Sequence, residues 1–498
     1  MTVERGAASR PDGPGRTSDA RLSWILIGVL TLVGGALRLY HLGFKSLWLD
    51  ESILYGVAAG PFSGLLARNA LENSGPPLFP VLLHLALRFG DSEAILRSIA
   101  WIGGTLSIPA MYFLARQFLE RVPAYVVALL VAFSPMQVRY SQEVREYSLT
   151  FGLAALMVAL CLRFRRRPTV RRWAAMAAAF VVGFFLQYGL VVLAAALALV
   201  LAISAAADRG DRKRLAAGTA ALILVCLAAT LVVYEIAVKV QLVTQGRERA
   251  MSTGYLREES WHGTFSSLAK LAVVNSYGLV TATYPGELFL FLVALGVCWA
   301  LVSRGERFAL LLLGVPAAAT FLLACVAFYP YGGGRHDMFL MPMILVFAGF
   351  GVTSMLHLPM RVAAIGLLAA ILSFVGLRES RRLLEDPGPE NMRLLVETLD
   401  SARKPGDRIY VYAFAVDAFR YYFRGRDTSG VVFGAERRRH PSEFARQVAE
   451  ISDSPRRTWL VFTHCTGDDC ELVEKSVAGR RRVEKIRGDE ETWLSLAP

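Results

Sequence analysis

The feature that most restricts the fold is a series of long apolar runs recurring between residues 24 and 377. A helix of about 20 apolar residues crosses a hydrocarbon core of about 30 Å. The run at 173–207 is long enough for two short crossings. With 54% hydrophobic residues over 498 positions, the pattern is that of a helical protein that crosses a membrane many times. The formal net charge of +13 is not a nucleic-acid signal, because much of it sits in short clusters between apolar runs. These are Arg163, Arg165, Arg166, Arg167, Arg171 and Arg172; Arg209, Arg212, Lys213 and Arg214; and Arg304 with Arg307. Such clusters mark cytoplasmic loops.

Setting sides by those loops predicts eleven spans. They lie at about 24–40, 93–115, 122–137, 148–163, two within 173–207, 215–236, 284–303, 308–328, 338–356 and 362–377. Residues 1–22 are polar, basic and rich in Gly, Ser and Pro, and read as a disordered cytoplasmic tail. No A-x-A-type cleavage site separates them from the first span, which is therefore expected to be a retained anchor. The transmembrane domain is expected over 23–378, with a first outer loop at 41–92. The short apolar piece at 77–89 is expected to lie at the interface, and 237–282 to form a long polar loop on the outer side.

Past Arg378 the pattern changes to alternating helix and strand. Helices are predicted at 391–402 and 442–451, and strands at 408–413, 458–463, 482–486 and 492–496. Residues 379–498 thus read as a small soluble α/β domain with a partly parallel sheet. An odd number of spans from a cytoplasmic start puts it outside the cytoplasm. Cys161, Cys226, Cys298 and Cys325 fall in apolar runs, where a thiol acts as a small hydrophobe. Cys465 and Cys470, with four residues between them, can pair if the domain is extracytoplasmic. No Cys or His spacing has the form of a metal site.

On this topology one face collects Asp50 and Glu51, Arg97, Glu143, Arg145 and Glu146, and Arg335, His336 and Asp337. Adjacent carboxylates just past a span are not needed for anchoring, which aromatics and basic residues provide. They suit the removal of a proton from a hydroxyl. Arg97 sits where the chain turns apolar, and a buried arginine requires an anionic partner. Arg335 follows Gly332, Gly333 and Gly334, which let backbone approach a ligand closely, so the arginine would complete an anion site. No GxxxxGK[ST] and no GxGxxG is present to cradle a nucleotide donor. Acids to activate a hydroxyl and arginines to hold a phosphate, beside lipid, fit displacement of a sugar from a polyprenyl phosphate. The leaving phosphate needs positive charge and no proton, whereas the acceptor hydroxyl needs a base.

The stretches Ser46-Leu-Trp-Leu-Asp-Glu-Ser52, Gly75-Pro-Pro-Leu-Phe79, Leu96-Arg97, Tyr140-Ser-Gln-Glu-Val-Arg-Glu-Tyr147 and Arg335 ahead of Leu340-Met-Pro-Met343 resemble the bacterial C-type glycosyltransferases. Within that class the likeness is to the branch related to protein O-mannosyltransferases and to lipid A aminoarabinose and galacturonic acid transferases. It covers residues 24–356 and is strongest over 38–165. The resemblance implies the C-type transmembrane fold, a polyprenyl-phosphate sugar donor and inversion at the anomeric carbon. It implies catalytic roles for Asp50, as general base, and Glu51, which shapes the site. Arg145 and Arg335 would bind donor phosphate, and Arg97, Glu143, Tyr147 and His336 would order the site. Relatives commonly read Arg-Tyr where this chain has Arg335-His336.

Two other classes compete. A transporter or flippase of a lipid-linked glycan would place ionisable groups near mid-span, with broken helices and paired repeats, whereas these acids sit at one face. A catalytically idle scaffold would not need the acidic pair with its arginines. Sugar and acceptor are open: lipid, polysaccharide and protein acceptors all fit a cell-envelope transferase of the bacterial plasma membrane. Some C-type enzymes use a divalent cation and others do not; Asp50, Glu51 and Asp337 are the candidate ligands.

Overall fold

The computed structural model describes residues 14–208, 210–244, 256–303, 307–388, 390–488 and 492–498. Residues 1–13 of the expected tail, and Arg209 and Arg304 of the basic clusters, lie outside these. Helix α1 (Pro14–Leu39) begins inside the stretch expected to be disordered. Proline is tolerated in the first turn, and nothing after Gly15 breaks the helix before the apolar run.

Ahead of α5 (Glu93–Ala115) come three short helices over the loop at 41–92: α2 (Leu49–Ala59), α3 (Leu65–Glu72) and α4 (Leu78–Ala86). Then follow α6 (Arg121–Phe133), α7 (Pro135–Tyr140), α8 (Tyr147–Arg166), α9 (Val170–Leu186), α10 (Gly189–Ala207), α11 (Arg212–Val233) and α12 (Lys239–Thr244). The span predicted over 122–137 is broken at Ser134-Pro135, where the serine hydroxyl accepts from Gln137 N at 3.3 Å and starts α7. The other ten predicted spans each overlap a helix. Among the described residues, seven helices are long and apolar enough to cross a membrane, or eight counting one bent pair as a single span.

That pair corrects the expected outer loop at 237–282. Helical segments occupy 265–283 and then turn by 108° into Glu287–Val302. The turn falls at Tyr284-Pro285, where the residue before proline is forced into extended backbone. Glu287–Val302 then packs backbone to backbone on Met341–Met355. A Cβ at Gly296 or Gly351 would overlap the facing main chain at Phe347 or Leu292, so this contact requires glycine.

The last membrane helix, Arg361–Glu385, continues past Arg378, so the soluble domain begins later than the sequence pattern suggests. Its sheet has the order β2-β1-β3-β5-β4, with β1 (Arg408–Val411), β2 (Val431–Phe433), β3 (Thr458–Thr463), β4 (Glu484–Gly488) and β5 (Thr492–Ala497). β1 pairs parallel with β2 and β3, and β5 pairs antiparallel with β3 and β4. All six residues of β3 are buried, as its unbroken apolar run requires of a central strand. The sequence reading missed β2 and the helices Val416–Phe423 and Asp469–Ala478. Each is short, and β2 has only three residues on which to show a period. Cys465 and Cys470 form a disulfide.

Candidate active site

The centre of the site is built by Arg97, one turn into α5 and fully buried. All five of its N–H groups have acceptors. Nε donates to Glu51 Oε1 at 3.0 Å, and Nη2 to Glu51 Oε2 at 2.7 Å and to the Ser46 carbonyl at 3.3 Å. Nη1 donates to the carbonyls of Leu42 at 3.1 Å and Lys45 at 3.0 Å. Glu51 is likewise saturated, because Oε1 also accepts from Val144 N at 2.7 Å and Oε2 from Trp48 N at 3.4 Å. One buried bidentate pair thus ties the loop after α1, the first turn of α2 and the turn before α8 into a single unit. Such a pair is tolerated only because every lone pair and proton is used.

Asp50 is adjacent in sequence and faces elsewhere, since successive helix residues point about 100° apart. It is partly exposed, and its Oδ2 lies 2.9 Å from Arg335 Nη1 and 3.8 Å from Arg145 Nη1. Arg145 comes from the turn between α7 and α8, and Arg335 from a tight turn at Arg335–Asp337. The Arg335 guanidinium lies over the Trp48 ring at 5.6 Å, and that of Arg145 over the Tyr147 ring at 5.3 Å. Tyr147 is buried and meets Tyr140 edge-on.

The glycine run shapes the turn that carries Arg335. Asp337 Oδ2 accepts from Gly332 N at 2.8 Å and Gly333 N at 3.0 Å. Gly333 has φ +83°, and a side chain there would strike the main chain of Gly278. Burial pushes the Asp337 carboxyl up to about 7 despite the two glycine amides. Burial, with Arg335 and Arg145 nearby, pulls His336 down to about 3, so its imidazole is neutral at physiological pH. Burial raises the Glu143 carboxyl, against the pull of Arg139, whose Nε donates to it at 3.0 Å.

Buried polar atoms normally find partners. Of the twelve buried side-chain polar atoms without a hydrogen bond among the described residues, six belong to this region: Arg145 Nε, which lies 3.5 Å from Glu146 Oε2, and Tyr147 Oη, Gln187 Oε1, Glu259 Oε2, His336 Nε2 and Asp337 Oδ1. These atoms cluster around Arg145 and Arg335, whose guanidinium groups form the cationic side of the site. Among the described residues, no group of three His, Cys, Asp or Glu side chains is arranged to hold a metal ion. Of the three candidate ligands, Glu51 is held by Arg97 and Asp337 by glycine amides.

The eight residues to which the resemblance gives roles all lie in or beside this site. Glu143 is at its margin, paired with Arg139. Sequence reasoning missed Trp48, Gln187, Glu259 and Arg38. Arg38, wholly buried in α1, donates to the Val131 and Ala132 carbonyls at 2.8 Å and to Ser141 Oγ at 3.2 Å, supporting the turn before Arg145 from below. An arginine inside an apolar run was a signal for it. Glu259 had none.

Superposed on solved structures, the molecule matches ArnT from Cupriavidus metallidurans in the apo state, with a TM-score of 0.57 over 96% of this chain and 98% of that chain at 14% identity. The chain has the C-type glycosyltransferase fold. Within this fold, the C. metallidurans ArnT bound to undecaprenyl phosphate gives a TM-score of 0.59 at 12% identity, over 95% and 98% of the two chains. The Archaeoglobus fulgidus oligosaccharyltransferase AglB, in complex with an inhibitory peptide and a dolichol-phosphate, gives 0.55 at 13% identity, over 89% of this chain and 70% of that chain. In sequence, residues 74–233 match the dolichyl-phosphate-mannose-protein mannosyltransferase family. That match takes in Arg97 and Arg145 but neither Asp50 nor Arg335. No curated protein matches the chain significantly. The C-type fold with its apolar helices makes this a multi-pass membrane protein.

Proposed function

We propose that this protein is a membrane glycosyltransferase that moves a sugar from a polyprenyl-phosphate donor to an acceptor hydroxyl of the cell envelope, with inversion. The observation that carries the reading is the partly exposed Asp50 carboxylate held between Arg335, at 2.9 Å, and Arg145, at 3.8 Å. The C. metallidurans and A. fulgidus structures with undecaprenyl phosphate and dolichol-phosphate support a lipid-phosphate donor.

In this mechanism the donor phosphate takes the Arg335 and Arg145 guanidinium groups, and Arg335 releases Asp50. The freed carboxylate accepts the proton of the acceptor hydroxyl. The acceptor oxygen bonds to the anomeric carbon as the bond from that carbon to the phosphate oxygen breaks. The electron pair leaves on the lipid phosphate, whose charge the two arginines stabilise without a proton. Glu51 and Arg97 hold α2 and the loop before it in place, which fixes the direction of Asp50.

The side follows from charge. α8 begins at the site with Tyr147 and ends in Arg163, Arg165 and Arg166, so the basic cluster lies at the far end of the bundle from Asp50. By the bias of basic loops that end is cytoplasmic, and the site and the sheet domain face out of the cytoplasm of a bacterial plasma membrane. A reporter active only in the cytoplasm, fused at Pro498, is then silent.

The test is incubation of the purified protein in bilayers with radiolabelled polyprenyl-phosphate pentoses and hexoses and an envelope extract. Release of lipid phosphate with label on an acceptor is the expected result. Movement of intact labelled lipid between leaflets, with no lipid phosphate released, would make it a transporter instead.

A further inference from the structure

The helix that carries Asp50 starts without a local cap. Trp48 occupies the N-cap position and has no side-chain oxygen to offer the first turn. Glu51 covers only the Trp48 amide, as half of a capping box. The amide of Leu49, immediately before Asp50, is instead bound by Glu390 Oε2 at 3.0 Å, from 341 residues further along the chain. Glu390 is buried, and its other oxygen, Oε1, lies 2.9 Å from His464 Nδ1. His464 follows β3 with φ +49°, an uncommon conformation for a residue with a side chain, and the next residue is the disulfide-bonded Cys465. Strained backbone of this kind persists only where the surroundings over-determine it, and here it delivers the imidazole to Glu390.

The same domain grips the loop before α2 at further points. Tyr422 Oη accepts from Leu47 N at 2.8 Å and donates to Glu93 Oε1 at 3.0 Å. Arg393 donates to Glu93 Oε1 at 2.6 Å and to the carbonyls of Gly43 and Phe44 at 3.1 and 3.2 Å. Arg97 therefore fixes the loop from the membrane side, and the sheet domain fixes it from the opposite side. Among the described residues of this domain, Glu390 is the one with a hydrogen bond to the turn that bears Asp50. A carboxylate on a helix N-terminus is favoured by the dipole and makes a charge-assisted hydrogen bond, so it holds that turn against fraying.

We propose that Glu390, held by His464, is a positioning residue of the transferase: it caps the first turn of α2 and so keeps the Asp50 carboxylate aimed at the acceptor. The role of the C-terminal domain is then to complete the geometry of the base. The assignment rests on the glycosyl-transfer reading for what Asp50 does, and on the Leu49 and His464 contacts for what Glu390 holds.

The experiment uses the full chain in nanodiscs, with Glu390→Ala, Glu390→Gln and His464→Ala. Amide deuterium exchange over 47–52, binding of undecaprenyl phosphate, and release of lipid phosphate from the radiolabelled donors are measured on each. In Glu390→Ala, exchange at Leu49 is expected to rise about tenfold or more, the scale of one charged hydrogen bond. In the same variant kcat falls while undecaprenyl phosphate binding is unchanged. Glu390→Gln retains an acceptor oxygen and recovers most of both effects, and His464→Ala falls between. Unchanged exchange at Leu49 in Glu390→Ala overturns the proposal, and so does faster exchange with normal kcat. If the wild-type protein releases no lipid phosphate from any donor, the transferase reading fails, and the exchange data alone decide whether Glu390 holds the turn.

Discussion

Asp50 and Arg335 stand 285 positions apart in the chain and 2.9 Å apart in space. The pair makes Asp50 both the candidate base and the counter-ion of the group that would bind the donor. On the proposed mechanism, a phosphate that took Arg335 would also release the carboxylate, making donor binding and activation of the base one event.

Asp50→Asn keeps the shape and removes the base. Turnover is expected to drop by about 10²–10⁴-fold, the usual share of general-base catalysis. Binding of undecaprenyl phosphate should be equal or tighter, because the competing negative charge on Arg335 is gone. Near-normal turnover in this variant, measured as lipid phosphate released, would remove Asp50 from the mechanism.

Arg335→Ala is expected to weaken undecaprenyl phosphate binding by the worth of one or two charged hydrogen bonds, about 1.5–3 kcal/mol each. Arg335→Lys should recover only part of this, since an ammonium lacks the planar fork and stacks less well on Trp48. Unchanged saturation by donor in the alanine variant would move the phosphate site to Arg145.

Arg97→Lys tests the buried pair. Lysine has three donors where Arg97 uses five, and the pair with Glu51 would be left partly unsatisfied in an interior setting. Breaking a buried ion pair costs about 3–5 kcal/mol, so a clear fall in thermal midpoint is expected even though charge is conserved. A midpoint equal to wild type would mean that the loop at 42–51 is held mainly by the C-terminal domain.

Asp337 gives a pH dependence with a definite sign. Its carboxyl is raised to about 7 in the folded protein, so the native state binds more protons than the unfolded one between about 4 and 7. The contribution of this group to stability is therefore full below pH 4 and is lost as pH rises towards 7. Asp337→Asn can still accept from Gly332 and Gly333 and has no charge to bury. Its thermal midpoint should exceed wild type at pH 8, with the difference shrinking at pH 4.5. Equal midpoints at both values would contradict the assignment.

Much of this was legible in the chain because the relevant signals are local. The apolar runs placed the helices, and Arg97 at the edge of one of them demanded an anion, which proved to be Glu51. The separate roles of Asp50 and Glu51 were harder to read from residues alone. Two adjacent carboxylates look alike in sequence, and only the turn of α2 sends one to Arg97 and the other to Arg335. Glu259 and Glu390 were not legible at all. Each lies in a polar stretch that resembles ordinary solvated surface, and its value comes from a long-range approach with no periodic trace. The bent helix pair escaped for a related reason, since polar residues on its first arm resemble a loop when the packing against the turn at Gly332 is unseen.

The contact between Leu49 and Glu390 also sets an order of events during synthesis. A growing chain makes the acidic turn early and must pass through every membrane helix before residue 390 is added. Until the sheet has folded and β3 has ended at His464, the nascent protein carries an acidic turn whose first amide lacks the Glu390 oxygen. The Leu49 contact is therefore completed only by residues 390–464, which are made after the membrane helices.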